Sequence, residues 1–192
     1  MNEPHESAEP ASAAPPAAPL PADQQRLAMA LETNFALVWR SLRRFGVPEA
    51  DIDDAAQHAF ITLSSRLAEI RPGAERSFLL GTCERLAANQ RRKLARRREV
   101  ADEELERRAT REPNPEQMMV EKQRRQKLDE GLAELPLDQR AVFVLFELEG
   151  FGLREIAESL GIPLGTATSR LRRAREKFEA WASAQSHRGE KP

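Results

Sequence analysis

Apolar positions along this chain recur at steps of three and four, the spacing that lines one face of an α-helix. The first stripe follows Gln24 and runs Leu27, Leu31, Phe35, Val38, Leu42 and Phe45 until Gly46 and Pro48 end it. A second carries Ile52, Ala56, Ala59, Phe60, Leu63 and Leu67 and stops at Arg71-Pro72-Gly73. A third begins near Ser77, placed to cap it, and turns Phe78, Leu79, Thr82, Leu86 and Ala87 inward. Past Ala88 the stripe gives way to Arg91, Arg92, Lys93, Arg96, Arg97 and Arg98, so the end of this helix should project a basic surface. Later, Leu128, Leu132 and Leu135 predict a helix that ends by Pro136. Ala141, Val142, Leu145, Phe146 and Leu148 predict the next, closed by Gly150-Phe151-Gly152. No segment alternates with the period of a strand and no repeat is present, so the class is all-α.

Residues 153 to 181 carry the most specific local pattern. Leu153, Ile156, Ala157 and Leu160 predict the buried face of a short helix, Gly161 the turn, and Ile162 an anchor for that turn. Thr166 is placed to cap a second helix with Ala167, Leu171, Ala174, Phe178 and Trp181 inward. Its outer face holds Thr168, Ser169, Arg170, Arg172, Arg173, Arg175 and Lys177. A helix-turn-helix that reads a major groove needs this arrangement: polar groups near the helix start for base edges, cations further along for phosphates.

Charge sharpens the organisation. The 192-residue chain has a formal net charge of -1, an average over unlike parts. Residues 1–23 hold Glu3, Glu6, Glu9 and Asp23 without a Lys or Arg, among six prolines and many alanines, which predicts a disordered tail. Residues 99–116 set seven acids against three arginines and include Pro113 and Pro115, an acidic linker with some helix near Leu105. The remainder is net basic, which suggests a polyanion partner. The expected organisation is thus a tail at 1–23, a helical module at 24–98, the linker at 99–116, a helix-turn-helix module at 117–184 and a C-terminal tail at 185–192.

The chemistry-bearing residues argue against an enzyme. The three histidines, 5, 58 and 187, are scattered, and there is neither a glycine-rich phosphate loop nor a metal-ligand cluster, so no cofactor is expected. Acids at Asp51, Asp53 and Asp54 suit the first turn of a helix, and His58 suits its surface. Cys83 is the single cysteine and reads as a buried small hydrophobe in a reducing compartment. Without a signal peptide or a long apolar run, a cytoplasmic location is expected.

The order Leu135-Pro136-Leu137-Asp138-Gln139-Arg140, Phe146-Glu147-Leu148-Glu149-Gly150, Glu155-Ile156-Ala157-Glu158, Leu160-Gly161-Ile162-Pro163, Gly165-Thr166, Ser169-Arg170-Leu171 and Arg173-Ala174-Arg175 resembles region 4 of the extracytoplasmic function sigma factors. Residues 27–98 resemble the family's region 2, chiefly through Asp53-Asp54-Ala55, Gln57, Phe60 and the basic end of the third helix. The resemblance implies a dissociable subunit of core RNA polymerase that directs promoter-specific initiation. Its region 2 would dock on the β′ clamp helices through Asp54, Gln57 and His58 and hold −10 DNA near Arg85, Asn89, Arg91, Arg92 and Lys93. Its region 4 would sit on the β flap and read −35 DNA with Thr166, Thr168, Ser169, Arg170, Arg172, Arg173, Arg175 and Lys177. An anti-sigma factor is a further implied partner. The sequence departs from the family where His58 replaces a usual acid, where Phe78, Arg85 and Asn89 replace a usual tryptophan, asparagine and aspartate, and where Ala167-Thr168 replaces a commoner Val-Lys pair. The competing reading is a regulator that binds operator DNA through the same helix-turn-helix without joining a polymerase.

Overall fold

The computed structural model describes residues 21–100 and 116–188, and everything in them is helix or short connection. In the first module α1 (Ala22–Arg44), α2 (Glu49–Ser65) and α3 (Glu75–Val100) pack pairwise, with a single 3-10 turn at Leu67–Glu69 between the last two. The second module contains α4 (Glu116–Ala133), α5 (Leu137–Phe143) running into a π-helical turn at Val144–Leu148, α6 (Leu153–Leu160) and α7 (Leu164–Arg188). The acidic tail through residue 20 and the linker residues 101–115, including the helix expected near Leu105, lie outside the described residues.

Prolines set several of the helix starts. Helices α1, α2, α5 and α7 each begin directly after one: Pro21, Pro48, Pro136 and Pro163. A proline there has no N–H to lose, and its carbonyl receives the first free amides, as Pro163 does from Thr166 at 2.9 Å and Ala167 at 3.0 Å. This corrects the expected cap at Thr166, which lies inside α7 as its third residue. The cap expected at Ser77 is displaced in the same way. Phe78 N–H bonds to the Ala74 carbonyl at 3.0 Å, so α3 begins at Glu75, an acid well placed in a first turn.

The stripes largely become core. Val38, Leu42, Phe45, Ile52, Leu63, Leu79 and Leu80 are buried in the first module, and Leu132, Leu135, Val142, Leu145 and Ile156 in the second. Leu31 and Phe35, expected inside, are instead 44% and 49% exposed. They lie on a turn of α1 beyond full cover, where Phe35 still stacks on Phe60 with ring centroids 6.3 Å apart. The expectation of two helical modules holds, but their cores are continuous: α3 lies against α6, and one apolar cluster spans both.

Candidate nucleic-acid interface

The helix-turn-helix is made by α6, the Gly161 turn and α7. Gly161 adopts the left-handed conformation (φ 65°, ψ 36°), which an L side chain rarely tolerates, and its N–H returns to the Glu158 carbonyl at 3.2 Å. Ile162 N–H then reaches the Ala157 carbonyl at 2.9 Å, locking the turn. Ile156, Ala157, Ala167, Leu171 and Ala174 are buried and fix α7 against α6 and α5. Phe178 and Trp181, expected in the core, are half-buried and pack with Phe143 in a row of tilted rings at 4.9 and 5.6 Å.

The outer face of α7 divides into side chains that are held and side chains that are not. Arg170 approaches Asp138 at 3.1 Å. Arg175 donates to Glu147 at 2.6 Å and lies over the Phe146 ring at 5.2 Å. Arg172 meets Glu176 of its own helix at 2.5 Å across an exposed pair, while Arg173 and Lys177 are exposed with no ion pair to another described side chain. The Thr168 and Ser169 hydroxyls donate to the Leu164 and Thr166 carbonyls, both at 3.0 Å, and a hydroxyl that donates can still accept a hydrogen bond. Thr166 is half-buried at the base of this face. The sequence reading missed Asp138 and Glu147 as anchors. Both are acids on the element preceding the motif, and only the fold brings them to α7.

On the first module, α3 carries the second basic surface. Arg91, Arg92, Lys93 and Arg96 are exposed along its second half, with Asn89 exposed within the turn before them and Arg85 one turn earlier still. Arg85 donates to Thr82 Oγ1 at 2.9 Å and Arg92 to Asn89 Oδ1 at 2.5 Å, so each long side chain is steadied by a neighbour on its own helix. Gln90 links this surface to α2 through Asp51 at 2.5 Å.

Asp54, Gln57 and His58 are together on the exposed face of α2, beside an Ile61 that is 59% exposed. Asp53, next to them, accepts the Trp39 indole N–H at 3.1 Å. Half-buried Phe78 lies below Arg66, whose guanidinium is 5.9 Å from the ring centroid. No group of three or more potential metal ligands forms among the described residues, and no helix there is long and apolar enough to cross a membrane.

Three buried ionisable groups serve structure. Burial pushes the Cys83 thiol up to about 12. Desolvation also acts to raise Glu75, but its own backbone amide and the Arg26 guanidinium outweigh it and hold the carboxyl below its ordinary range. Arg140 is brought down to about 10, first by burial and then by the charge of Arg91. It donates to the Ala133 and Leu135 carbonyls at 2.9 and 3.2 Å, closing the end of α4.

Comparison with known proteins yields consistent likenesses. The Sigma-70, region 4 family pattern matches residues 125–178, which include the whole helix-turn-helix core. The chain is 30% identical over 161 residues to the RNA polymerase sigma factor CnrH of Cupriavidus metallidurans, covering 78% of this chain and 82% of that protein. It is 30% identical over 150 residues to the ECF RNA polymerase sigma factor SigE of Mycolicibacterium smegmatis, where the match covers 78% of this chain but spans only 58% of the relative's length. A shorter match, 39% identical over 66 residues, links it to the ECF RNA polymerase sigma-E factor of Escherichia coli and covers 34% of this chain and 35% of that protein. Among solved structures, the fold matches CnrH in complex with the cytosolic domain of CnrY (TM-score 0.64, 22% identity, 84% of this chain and 90% of that one). It also matches the sigma factor RpoE in complex with the anti-sigma factor NepR from Bartonella quintana (TM-score 0.67, 19% identity, 83% and 98%).

Proposed function

Because the chain belongs to the extracytoplasmic function group of sigma-70 family RNA polymerase sigma factors, we propose that it binds core RNA polymerase and directs promoter-specific initiation. The observation that carries this reading is the helix-turn-helix, whose second helix presents Thr168, Ser169, Arg172 and Arg173 outward above a buried apolar seam. Such a helix enters a major groove with its first turns at the base edges and its cations at phosphates. In this reading α7 reads −35 duplex, with Thr166 at the base of the site and Lys177 at the flanking backbone. Arg170 and Arg175 meet DNA only as far as their ion pairs to Asp138 and Glu147 allow.

The exposed end of α3 takes −10 DNA. Holding a base outside the stack costs a few kcal/mol, which contacts to the flipped base and its phosphates must offset. Arg85 and Asn89 supply hydrogen bonds there, and Arg91, Arg92 and Lys93 supply charge. Asp54, Gln57 and His58 form the polymerase contact with the β′ clamp helices, and the second module rests on the β flap. A partner of the anti-sigma kind, as NepR is for the solved RpoE of Bartonella quintana, belongs to the same reading. The chain initiates transcription as a subunit and has no catalytic residue of its own.

The test is reconstitution. Purified protein mixed with core RNA polymerase is expected to form a stable complex and to start transcripts from a cognate promoter. Retardation of duplex DNA by the protein alone, with no binding to core, would replace this reading with the operator-binding regulator.

A further inference from the structure

The two halves of α7 differ in chemistry. From Leu164 to Ser169 no residue is charged, and the polar side chains there are those of Thr166, Thr168 and Ser169; cations begin at Arg170. Of the three hydroxyl residues Thr168 is exposed, whereas Thr166 and Ser169 are half-buried. The neighbours of Thr168 leave it open. Gly165, one turn before it on the same face, has no side chain, and a Cβ there would meet nothing within 4 Å. Arg172, one turn after it, extends along the helix to Glu176 at 2.5 Å, and Arg170 is drawn to Asp138 at 3.1 Å.

The Thr168 hydroxyl has one hydrogen and two lone pairs. Its hydrogen goes to the Leu164 carbonyl, with Oγ1 3.0 Å from that oxygen, the bond a threonine inside a helix makes back to the residue four before it. What remains on Oγ1 is acceptor capacity. Lysine and arginine present the opposite chemistry, donors without an acceptor. In the major groove adenine and cytosine offer an exocyclic amino donor, N6 or N4, while guanine and thymine offer a carbonyl acceptor, O6 or O4. An acceptor that faces one strand therefore separates amino bases from keto bases. That division differs both from purine against pyrimidine and from A·T against G·C.

We infer that Thr168 is the specificity-determining residue for one −35 base pair and selects adenine or cytosine over guanine or thymine on the strand it faces. The inference rests on the proposed reading that α7 enters the −35 major groove, and it adds the kind of base that the groove must present. Ser169 spends its hydrogen in the same way, on the Thr166 carbonyl at 3.0 Å, so the adjacent residue brings no hydroxyl donor for a keto base either. The Thr168 methyl group would favour a different base, since an apolar contact with the C5-methyl selects thymine.

The test is a set of promoter duplexes in which each −35 base pair is replaced in turn by the other three, bound by holoenzyme reconstituted from the full chain and core RNA polymerase. At one position adenine and cytosine are expected to bind alike, and guanine and thymine about fivefold more weakly, the worth of a single neutral hydrogen bond. Thr168→Ser keeps the hydroxyl and is expected to keep that pattern. Thr168→Val keeps the shape without the acceptor and is expected to level it, with the profile at other positions unchanged. Thr168→Lys, a donor, is expected to favour guanine there. Because Thr168 is exposed, all three variants are expected to match the unaltered chain in helix content. A thymine preference that survives in Thr168→Val would assign the contact to the methyl group and overturn the inference. So would a guanine preference in the unaltered protein, where the hydroxyl would have turned to donate to the base, or a profile that Thr168→Val leaves intact. A holoenzyme indifferent to every −35 substitution would instead sink the −35 reading of α7 itself, and this inference with it.

Discussion

Burial acts to raise both the Cys83 thiol and the Glu75 carboxyl, but only Glu75 has partners that outweigh it, so the two groups end on opposite sides of their ordinary values. With its thiol pushed up to about 12, Cys83 carries almost no thiolate at neutral pH, and the thiolate is the reactive species. Native protein is expected to resist a thiol reagent at pH 8 over hours and to react fully once denatured; rapid labelling of folded protein would contradict that. Glu75 is held by Arg26, which also donates to the Leu67 and Ile70 carbonyls at 3.1 and 2.6 Å. Because the Glu75 carboxyl titrates below its ordinary 4.5 in the fold, its ionised contacts stabilise the protein fully above about that pH. That contribution fades as pH falls through the lower folded value. Glu75→Gln is expected to cost on the order of 1–2 kcal/mol near pH 7 and to flatten the acid limb of melting temperature against pH. The sequence placed Cys83 inside correctly from helical spacing. It held no sign of the Arg26–Glu75 pair, whose members are 49 residues apart and sit on faces that read as solvated.

At the scale of helices, what was legible is what local spacing and breaker residues determine. The three-four stripes located every helix of both modules, and Gly161 marked the turn of the motif. Capping was less legible, because Ser77 and Thr166 look like caps until the prior carbonyls of Ala74 and Pro163 are seen to take the amides. Leu31 and Phe35 follow the same stripe as Val38, yet periodicity cannot say how far along a helix the neighbouring helices reach. Gly131 in α4 went unremarked, although a glycine inside a helical pattern costs about 1 kcal/mol relative to alanine and so asks for a reason. The reason is a close approach: a Cβ there would lie 2.7 Å from both Phe178 and Trp181. Gly131→Ala gains helix propensity but overpacks this contact, and overpacking costs typically about 1–3 kcal/mol. A lower melting temperature and a shift of tryptophan emission are the expected outcome. An equal or higher melting temperature would mean that the rings move aside freely.

Over the whole molecule, the contacts between modules were the least legible part, since Arg40 and Arg44 meet Glu149 across more than a hundred residues and nothing local in the sequence pairs them. The same holds for the division within α7. The sequence ranks its basic residues equally, whereas the fold anchors Arg170 and Arg175 to acids of the preceding element and leaves Arg173 without such a partner. Arg172 is intermediate, because an exposed pair four residues apart on one helix is worth only about 0.3–0.5 kcal/mol and exchanges readily for a phosphate. Promoter binding by the reconstituted holoenzyme should therefore fall most for Arg173→Ala, next for Arg172→Ala and least for Arg170→Ala, with helix content unchanged in all three. Removing a cation that neutralises one phosphate should also reduce the slope of log affinity against log salt by about 1. An Arg170→Ala variant that loses as much affinity and slope as Arg173→Ala would show that DNA displaces Asp138 from its arginine. In that case the ion pair would be a reserve of charge for the promoter complex, and the partition seen in the free chain would not carry over to DNA.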